Sequence, residues 1–351
     1  MLTQPHVAIV ILNYNGCGFL EQFLPDVIRH SKGCEIIVAD NASTDDSVAF
    51  LREDFPEVRL ILLDKNYGFA EGYNQALTQV RADYYVLLNS DVAVSENWCK
   101  PVIALLESNP KMAAAQPKIL SFHQKEHFEH AGAGGGYMDY LGFPFCRGRL
   151  FDTLEKDLGQ YDDVQEIFWA TGACMIIRAS CYHEAGGLDG DFFAHMEEID
   201  LCWRLHRMGY SVGYQGASKV WHVGGGTLGK SNPRKTYLNF RNGLWMLYKN
   251  TPGHLLLSRV FLRMLLDGIA GIKFLLSDGA GHFFAVLKAH RDFYLHLPEL
   301  NKKRKNLKTF DPNGAVNRLY SNSIVWEYFI KGKRVFADLG VRPPNSVKNS
   351  R

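Results

Sequence analysis

The chain has 351 residues, 46% apolar and 22% charged, enough to bury a sizeable core as two domains or as one domain with an appendage. A formal net charge of +2 excludes the strongly basic surface that nucleic-acid binding requires, so no nucleic acid is expected as a partner. The seven cysteines are odd in number, form no C-x-x-C pair and sit in apolar segments, the pattern of reduced structural thiols in the cytoplasm.

The first element is the apolar run Val7–Leu12, with no basic segment before it and Asn13-Tyr14-Asn15-Gly16 after it, which reads as a buried strand and not as a signal peptide. Similar runs recur at Glu35–Ala39, Val58–Leu63 and Tyr84–Leu88, separated by segments of helical period at Phe19–Ser31, Asp45–Phe55 and Phe69–Arg81. Continuous apolar runs suit strands covered on both faces, so the alternation predicts an α/β fold with a mostly parallel, Rossmann-like sheet flanked by helices. Ser43 and Asp46 predict a capping box at the second helix. A helix over Glu96–Ser108 and a strand near Met112–Leu120 follow. The pattern then loosens between Ser121 and Glu166 around Gly132-Ala133-Gly134-Gly135-Gly136, where an irregular loop near the substrate is expected. Regular structure resumes with Ile167–Arg178, a helix over Glu197–Met208 and a strand near Val212–Val223.

Beyond about Asn250 the composition shifts to Leu-, Phe- and basic-rich helical segments, then to Lys302-Lys303-Arg304-Lys305 and a polar tail. The longest apolar stretch, Leu255–Leu276, is broken by Arg259, Arg263, Asp267 and Lys273 and so fails the requirement of about 18 nearly uncharged residues for a membrane span. Phe261, Leu262, Leu265, Leu266 and Ile269 nonetheless fall at helical spacing, as in a helix that lies on a membrane or one that packs on the domain or on a second copy of the chain.

In open α/β sheets ligands bind outside the carboxyl ends of the strands, so the polar residues after each strand are the candidate site. An ionised Asp40 can accept the N3–H of a uracil or thymine ring, although Asp-Asn also opens an ordinary turn. Gly68 and Gly72 let a backbone approach a base or phosphate at a helix start, or form a plain connection. Asp91, directly after a buried strand, has the chemistry to hold Mg2+ or Mn2+ with phosphate oxygens; it also suits a turn. Glu197, Glu198 and Asp200 crowd a helix start, where one glutamate can serve as general base and Asp200 pairs with Arg204. His222, at a strand end, is a metal ligand, a phosphate contact or a structural imidazole. Gly224 to Ser231 matches the P-loop pattern letter for letter, but a P-loop runs straight into a helix, and Asn232-Pro233 follows here instead. The segment is therefore read as a glycine-rich loop able to act as a lid, not as an ATP site.

As a set, Val10-Ile11-Leu12-Asn13-Tyr14-Asn15, Val38-Ala39-Asp40-Asn41-Ala42-Ser43-Thr44-Asp45, Asn66-Tyr67-Gly68-Phe69-Ala70, Leu87-Leu88-Asn89-Ser90-Asp91 and the acidic stretch Phe192 to Arg204 resemble glycosyltransferase family 2. These are inverting enzymes of GT-A fold, and within the family the likeness is to rhamnosyltransferase-like polysaccharide enzymes. The resemblance covers about Val7–Asn250. It implies a GT-A catalytic domain over residues 1–250; the helical region 251–351 lies beyond it, and its apolar spacing and basic cluster lead to the expectation that it associates with membrane or with a second copy. By position the resemblance implies that Asp40 reads the base, with Asn13, Asn15, Asn41, Ser43, Asn66, Gly68, Phe69, Asn74, Asn89 and Ser90 completing the nucleotide-sugar pocket. Thr171, Gly172, Ala173, Asp189 and Arg241 fall on the sugar or acceptor side, Asp91 and His222 on a divalent metal, Mg2+ or Mn2+, and Glu198 or Glu197 is the base. The chain departs from the family where Asn89 stands for a frequent Asp and where Glu197-Glu198 stands for Glu-Asp.

The implied reaction moves rhamnose or another hexose from a UDP- or dTDP-sugar to a hydroxyl of a glycan or polyprenyl-lipid-linked acceptor. Its setting is cell-surface polysaccharide synthesis, with the enzyme in the cytoplasm or peripherally at the inner face of the cell membrane. Two other classes share parts of the pattern. A nucleotidyltransferase should carry a glycine-rich basic loop after strand one, where this chain has Asn13-Tyr14-Asn15, and a silent sugar-nucleotide-binding protein has no need of Glu197-Glu198.

Overall fold

The computed structural model describes residues 4–129, 132–224, 232–309 and 312–341. Its first part follows the hydrophobic pattern: β1 (Val7–Asn13), α1 (Cys17–His30), β2 (Glu35–Asp40), α2 (Ser47–Asp54), β3 (Arg59–Leu62), α3 (Gly68–Leu77) and β4 (Tyr84–Asn89). The four strands are parallel in the order β3-β2-β1-β4, with Asn13 opposite Asp40 and Leu12 opposite Asn89. Their polar termini therefore share one edge. Alternate residues of β1 enter different cores: Ala8 and Val10 pack with α3, whereas Val7, Ile9 and Ile11 pack with α1. That two-sided burial explains why the run is apolar throughout.

The sheet continues through β5 (Val92–Val94), α4 (Cys99–Ser108) and β6 (Met112–Ser121). Four short strands follow, β7 (Gly136–Met138), β8 (Pro144–Cys146), β9 (Arg149–Leu150) and β10 (Thr153–Leu154), then β11 (Val164–Ile167), β12 (Cys174–Arg178), α5 (Ala179–Glu184), α6 (Glu197–Arg207) and β13 (Ser211–His222). β12 runs antiparallel to β4 and β6, β13 parallel to β6, and β5 and β11 antiparallel to β13. Among the described residues the helical C-terminal part comprises α7 (Pro233–Asn250), α8 (Gly253–Ser277), α9 (Ala280–Leu295), α10 (Leu297–Asn306), α11 (Pro312–Asn317) and α12 (Ile324–Phe329). No described helix is long and apolar enough to cross a membrane.

Two local expectations are corrected. Ser43 does not cap α2: Asp46 occupies the cap position without a side-chain bond, and Asp45 Oδ1 instead accepts from Ser47 N at 3.2 Å. Ser43 is engaged by the β1 turn, as described below. The stretch expected as a loop between Ser121 and Glu166 forms the antiparallel sheet β7-β8-β9-β10, and its Tyr137 and Phe145 are buried. Its glycines serve packing: a Cβ on Gly132 would stand 2.6 Å from Thr171 Cβ. The C-terminal segment closes over this small sheet, with Tyr320 N donating to Met138 O at 2.8 Å and the Phe336 ring packed, tilted, 4.9 Å from that of Tyr137. All seven cysteines are free thiols.

Candidate active site

The turns after β1 and β2 form one hydrogen-bonded unit. Asn13 Nδ2 donates to Asp40 Oδ2 at 3.0 Å and to Ser43 Oγ at 3.2 Å. Ser43 Oγ accepts from Asn15 N at 2.9 Å, Asn15 Oδ1 accepts from Thr44 N at 2.7 Å, and Asp40 Oδ1 accepts from Ser43 N at 2.8 Å. Asn15 and Ala42 adopt left-handed φ of 50° and 62°, the cost of holding both turns so close. Asp40 is only 1% exposed, so the turn role is realised and each of its oxygens already accepts one bond.

The loop after β3 is tied to the same unit by Asn41. Its Nδ2 donates to Gly68 O at 3.0 Å and to Asn66 Oδ1 at 3.1 Å, and its Oδ1 accepts from Tyr67 N at 2.9 Å. Gly68, at φ 74°, lies so close to Phe193 that a Cβ would stand 2.6 Å from the ring, and Phe69 N donates to Phe193 O at 2.8 Å. Asn74 is not part of this cleft. Its Oδ1 accepts from Leu188 N and Tyr182 OH while its Nδ2 donates to Leu188 O and Glu71, which uses its full bonding capacity on α3, α5 and the loop before α6.

Strand pairing assembles the next group. β5 sets Val92 opposite His222, and Val223 N donates to Asp91 O at 3.0 Å. His222 Nε2 consequently stands 3.1 Å from Asp91 Oδ1, and His222 Nδ1 stands 3.3 Å from Glu129 Oε2. Burial lowers the basicity of this imidazole, but the two carboxylates outweigh it and raise its pKa to about 10. Asn89 Nδ2 is 3.4 Å from His222 Nε2, a polar neighbour and not a charged one. Among the described residues no set of three His, Cys, Asp or Glu side chains is arranged to hold an ion. The adjacent Asp91 oxygen and His222 nitrogen fit a cation of the Mg2+ or Mn2+ kind, which takes few protein ligands and completes its shell with phosphate oxygens and water.

The acidic pair begins α6 after a loop in which Phe193, His195 and Met196 all have left-handed φ, 65°, 71° and 73°. Such non-glycine strain costs roughly 1–3 kcal/mol per residue and concentrates at functional sites. Burial, then the neighbouring Glu198 charge, pushes Glu197 well above the usual carboxylate range. Burial also raises Glu198, but backbone amides of Glu198, Gly172 and Ile199 draw it back. Glu197 is buried and Glu198 half-buried, and each keeps one carboxylate oxygen without a protein partner. Gly172 packs between Phe69 and Glu198: a Cβ there would lie 3.1 Å from Phe69 Cζ and 3.7 Å from Glu198 Cβ. Thr171 Oγ1 accepts from Ala173 N at 3.2 Å, and Ala173 O accepts from Asn89 N at 3.0 Å. Residues 171–173 thus link Glu198 to the β4 end that carries Asp91.

Against known proteins, the family model described as Glycosyl transferase family 2 matches residues 8–184, half of the chain. The chain belongs to glycosyltransferase family 2. Among similar proteins, the N-acetylglucosaminyl-diphospho-decaprenol L-rhamnosyltransferase of Mycobacterium tuberculosis is 24% identical over 230 residues, covering 61% of this chain and 75% of that one. The low-salt glycan biosynthesis hexosyltransferase Agl10 of Haloferax volcanii is 23% identical over 212 residues, covering 59% of this chain and 64% of that one. Among solved structures, GalNAc-T7 with UDP, GalNAc and Mn2+ superposes with a TM-score of 0.56 at 13% identity, over 88% of this chain and 59% of that one. S. aureus TarS 1-349 gives 0.54 at 12% identity over 93% and 92%. At such identities the likeness is one of fold, and the fold is GT-A.

The family match ends before α6, so the glycosyltransferase's acidic pair rests on its own geometry. Two residues of α7 hold the strained loop. Asn242 Nδ2 lies 3.1, 2.9 and 2.7 Å from the carbonyls of Phe192, Ala194 and His195. Arg241 donates to Asp191 O at 3.0 Å and Phe192 O at 3.1 Å while stacking 4.4 Å from Trp245. Arg241, read from sequence as a sugar or acceptor contact, is thus engaged by the loop. Asp189 is likewise drawn away from that role, because Lys249 and Lys303 pair with it; together these cations outweigh its burial and hold its carboxyl far below the usual range. Asp200 pairs with Arg204 at 2.8 Å, as its spacing predicts. Glu129, and the partners of Asn242 and Lys303, escaped the sequence reading because the residues in contact are 93, 47–50 and 114 positions apart, and no local spacing marks such contacts. Helix α7 does start just past the P-loop-like stretch, but Asn232 is extended and caps Arg234 N from outside the helix, with Pro233 as first residue. The expected lid, residues 225–231, lies outside the described residues.

Proposed function

We propose that this glycosyltransferase is a metal-dependent inverting hexosyltransferase that moves rhamnose or another hexose from a UDP- or dTDP-sugar to a hydroxyl of a glycan or lipid-linked acceptor in cell-surface polysaccharide synthesis. The observation that carries the reading is Glu198: it is half-buried beside Gly172, has a carboxylate oxygen free of protein partners, and is linked through residues 171–173 to the Asp91–His222 pair. Glu198 takes the proton of the acceptor hydroxyl, and that oxygen forms a bond to the anomeric carbon as the bond to the diphosphate oxygen breaks on the opposite face. The product anomer is inverted and the nucleoside diphosphate leaves. Asp91 and His222 would hold a divalent cation, which when bound neutralises charge on the departing diphosphate. Asn13, Asp40, Ser43 and Asn15 orient the nucleoside through their joined turns. A lipid-linked acceptor would set the enzyme at the inner face of the cell membrane. The activity of the mycobacterial relative, named for a diphospho-decaprenol acceptor, supports that acceptor class.

The test is a thermal-shift screen of UDP- and dTDP-sugars with and without Mn2+, followed by transfer with the best donor and assignment of the product anomer by NMR. Stabilisation by one donor only with metal, and an inverted linkage, is the expected result. Retention of configuration, or stabilisation indifferent to metal, overturns the reading.

A further inference from the structure

Helix α8 is inside out. Its buried positions are Arg259, Arg263, Asp267 and Gly271, four residues apart, while Leu257 is 83% exposed, Phe261 69%, Leu265 55% and Ile269 58%. An amphipathic helix on a globular domain normally presents the opposite face to the protein. The polar face is fastened where it is. Arg263 Nε donates to Asp267 Oδ1 at 2.8 Å, its Nη1 donates to Gly142 O at 2.9 Å, and its guanidinium lies 3.8 Å over the Phe143 ring. Rolling the helix to hide its leucines would strand these buried charges, so the apolar stripe is held outward.

The neighbouring helices extend that surface. α9 packs on α8 where a Cβ on Gly271 would stand 3.6 Å from Val286, and it exposes Phe284, Leu287 and Leu295. At the far end of α8, Lys273 Nζ lies 5.0 Å over the Phe329 ring, beside the exposed Trp326 of α12. The charges on the exposed sides of α8 and α9 are Lys273 and Lys288, and Arg291, which is paired with Asp292 at 2.8 Å. The only acids of the two helices, Asp267 and Asp292, are buried, and Asp278 in the turn between them is exposed.

We propose that α8, with α9 and α12 beside it, docks this enzyme onto an anionic phospholipid bilayer, lying in the headgroup layer with Leu257, Phe261, Leu265 and Ile269 at the acyl boundary. An apolar stripe bordered by cations and free of exposed acid on its helices is the complement of that surface. A second copy of the chain fits less well, because two-fold pairing would bring the patch's cations near their own symmetry mates. The inference deepens the membrane-side setting proposed above, and its failure leaves the transfer reaction untouched because binding is read without donor or acceptor.

The full chain is floated with vesicles of phosphatidylglycerol and phosphatidylcholine, and separately with phosphatidylcholine alone. Flotation with the anionic vesicles, at least about tenfold weaker with neutral ones and reduced about tenfold by Phe261→Glu with Leu265→Glu, is the expected result. The melting temperature of that double variant should match the wild type, since both positions face outward. If it falls instead, Lys273→Glu with Lys288→Glu takes its place and should abolish the preference for anionic vesicles. Wild-type protein left at the bottom of the gradient overturns the proposal, as does flotation untouched by either variant. A dimer by light scattering that the variants dissociate, without flotation, assigns the face to a second copy instead.

Discussion

Glu129 lies 3.3 Å from His222 Nδ1, and Asp91 lies 3.1 Å from Nε2 of the same ring. A carboxylate behind a ligand imidazole fixes its tautomer and orientation, and losing such a partner typically costs about 10–100-fold in metal affinity. Glu129→Gln should weaken Mn2+ binding by that amount, read by calorimetric titration, while Asp91→Asn should abolish it.

The same pair predicts a pH dependence. Burial opposes protonation of His222, but both carboxylates raise its pKa from 6.5 to about 10. A group raised in the folded state stabilises fully below its unfolded value and loses that contribution as pH rises through the folded one. The metal-free protein should therefore lose melting temperature progressively between pH 6.5 and about 10, and His222→Gln should flatten this slope. Metal uptake requires the neutral ring, so Mn2+ binding near pH 7 should release about one proton per site. Equal binding heats in buffers of different ionisation enthalpy would contradict it.

The two glutamates of α6 should separate cleanly. Glu198→Gln should lower kcat by about 10²–10⁴ while donor binding stays within about twofold, the signature of a lost general base. Glu197→Gln should retain turnover. Burial and the Glu198 charge raise Glu197, so the wild type forfeits stability as pH rises above the ordinary carboxylate value. The glutamine variant should then melt higher than wild type at pH 7.5 and level with it near pH 4. If Glu197→Gln silences transfer and Glu198→Gln does not, the roles are exchanged.

Asp40→Asn tests the base-reading role without breaking the turn. Asn13 Oδ1 is buried without a partner, so Asn13 can turn its amide over and accept from the amide that replaces the Asp40 carboxylate, with the Ser43 hydroxyl donating to it. Stability should change by less than about 1 kcal/mol, whereas loss of a charged acceptor should weaken nucleoside diphosphate binding by about 1.5–3 kcal/mol. Unchanged affinity would assign Asp40 to the turn alone.

The parallel half of the fold was legible because each strand of the β3-β2-β1-β4 block is a short apolar run followed by polar residues, and such runs declare themselves locally. Asp40, Asp91 and the acidic pair stand out as candidates on the same local grounds: each follows a strand or opens a helix. The small sheet β7–β10 was missed because its strands have only two or three residues, too few to show alternation, and its glycines looked like loop and not like packing under Thr171 and Trp169. Arg241, Asn74 and Asp189 were polar and near the right motifs, yet their partners are backbone carbonyls and lysines supplied by distant segments. The outward face of α8 was legible as spacing; that its arginines are the buried side was not, because Gly142 and Phe143, which hold Arg263, lie 120 or more residues upstream.

Gly68 and Phe193 offer the sharpest test of how the nucleotide side and the catalytic loop depend on each other. A methyl at Gly68 meets φ 74° and would stand 2.6 Å from the Phe193 ring and 2.9 Å from its carbonyl oxygen, which accepts from Phe69 N. Left-handed strain for a residue with Cβ is about 1–2 kcal/mol, and forcing the ring aside adds about 1–3 kcal/mol more. Because Phe193 begins the strained run that leads into Glu198, Gly68→Ala should lower kcat by at least about tenfold beyond its stability loss. Gly186→Ala is the matched control: it has φ 84° but open space around its Cβ position, so it carries the strain without the collision. It should cost about 1 kcal/mol and leave turnover near wild type. Equal kinetic effects in the two variants would mean that the close approach of Gly68 to Phe193 does not position the base.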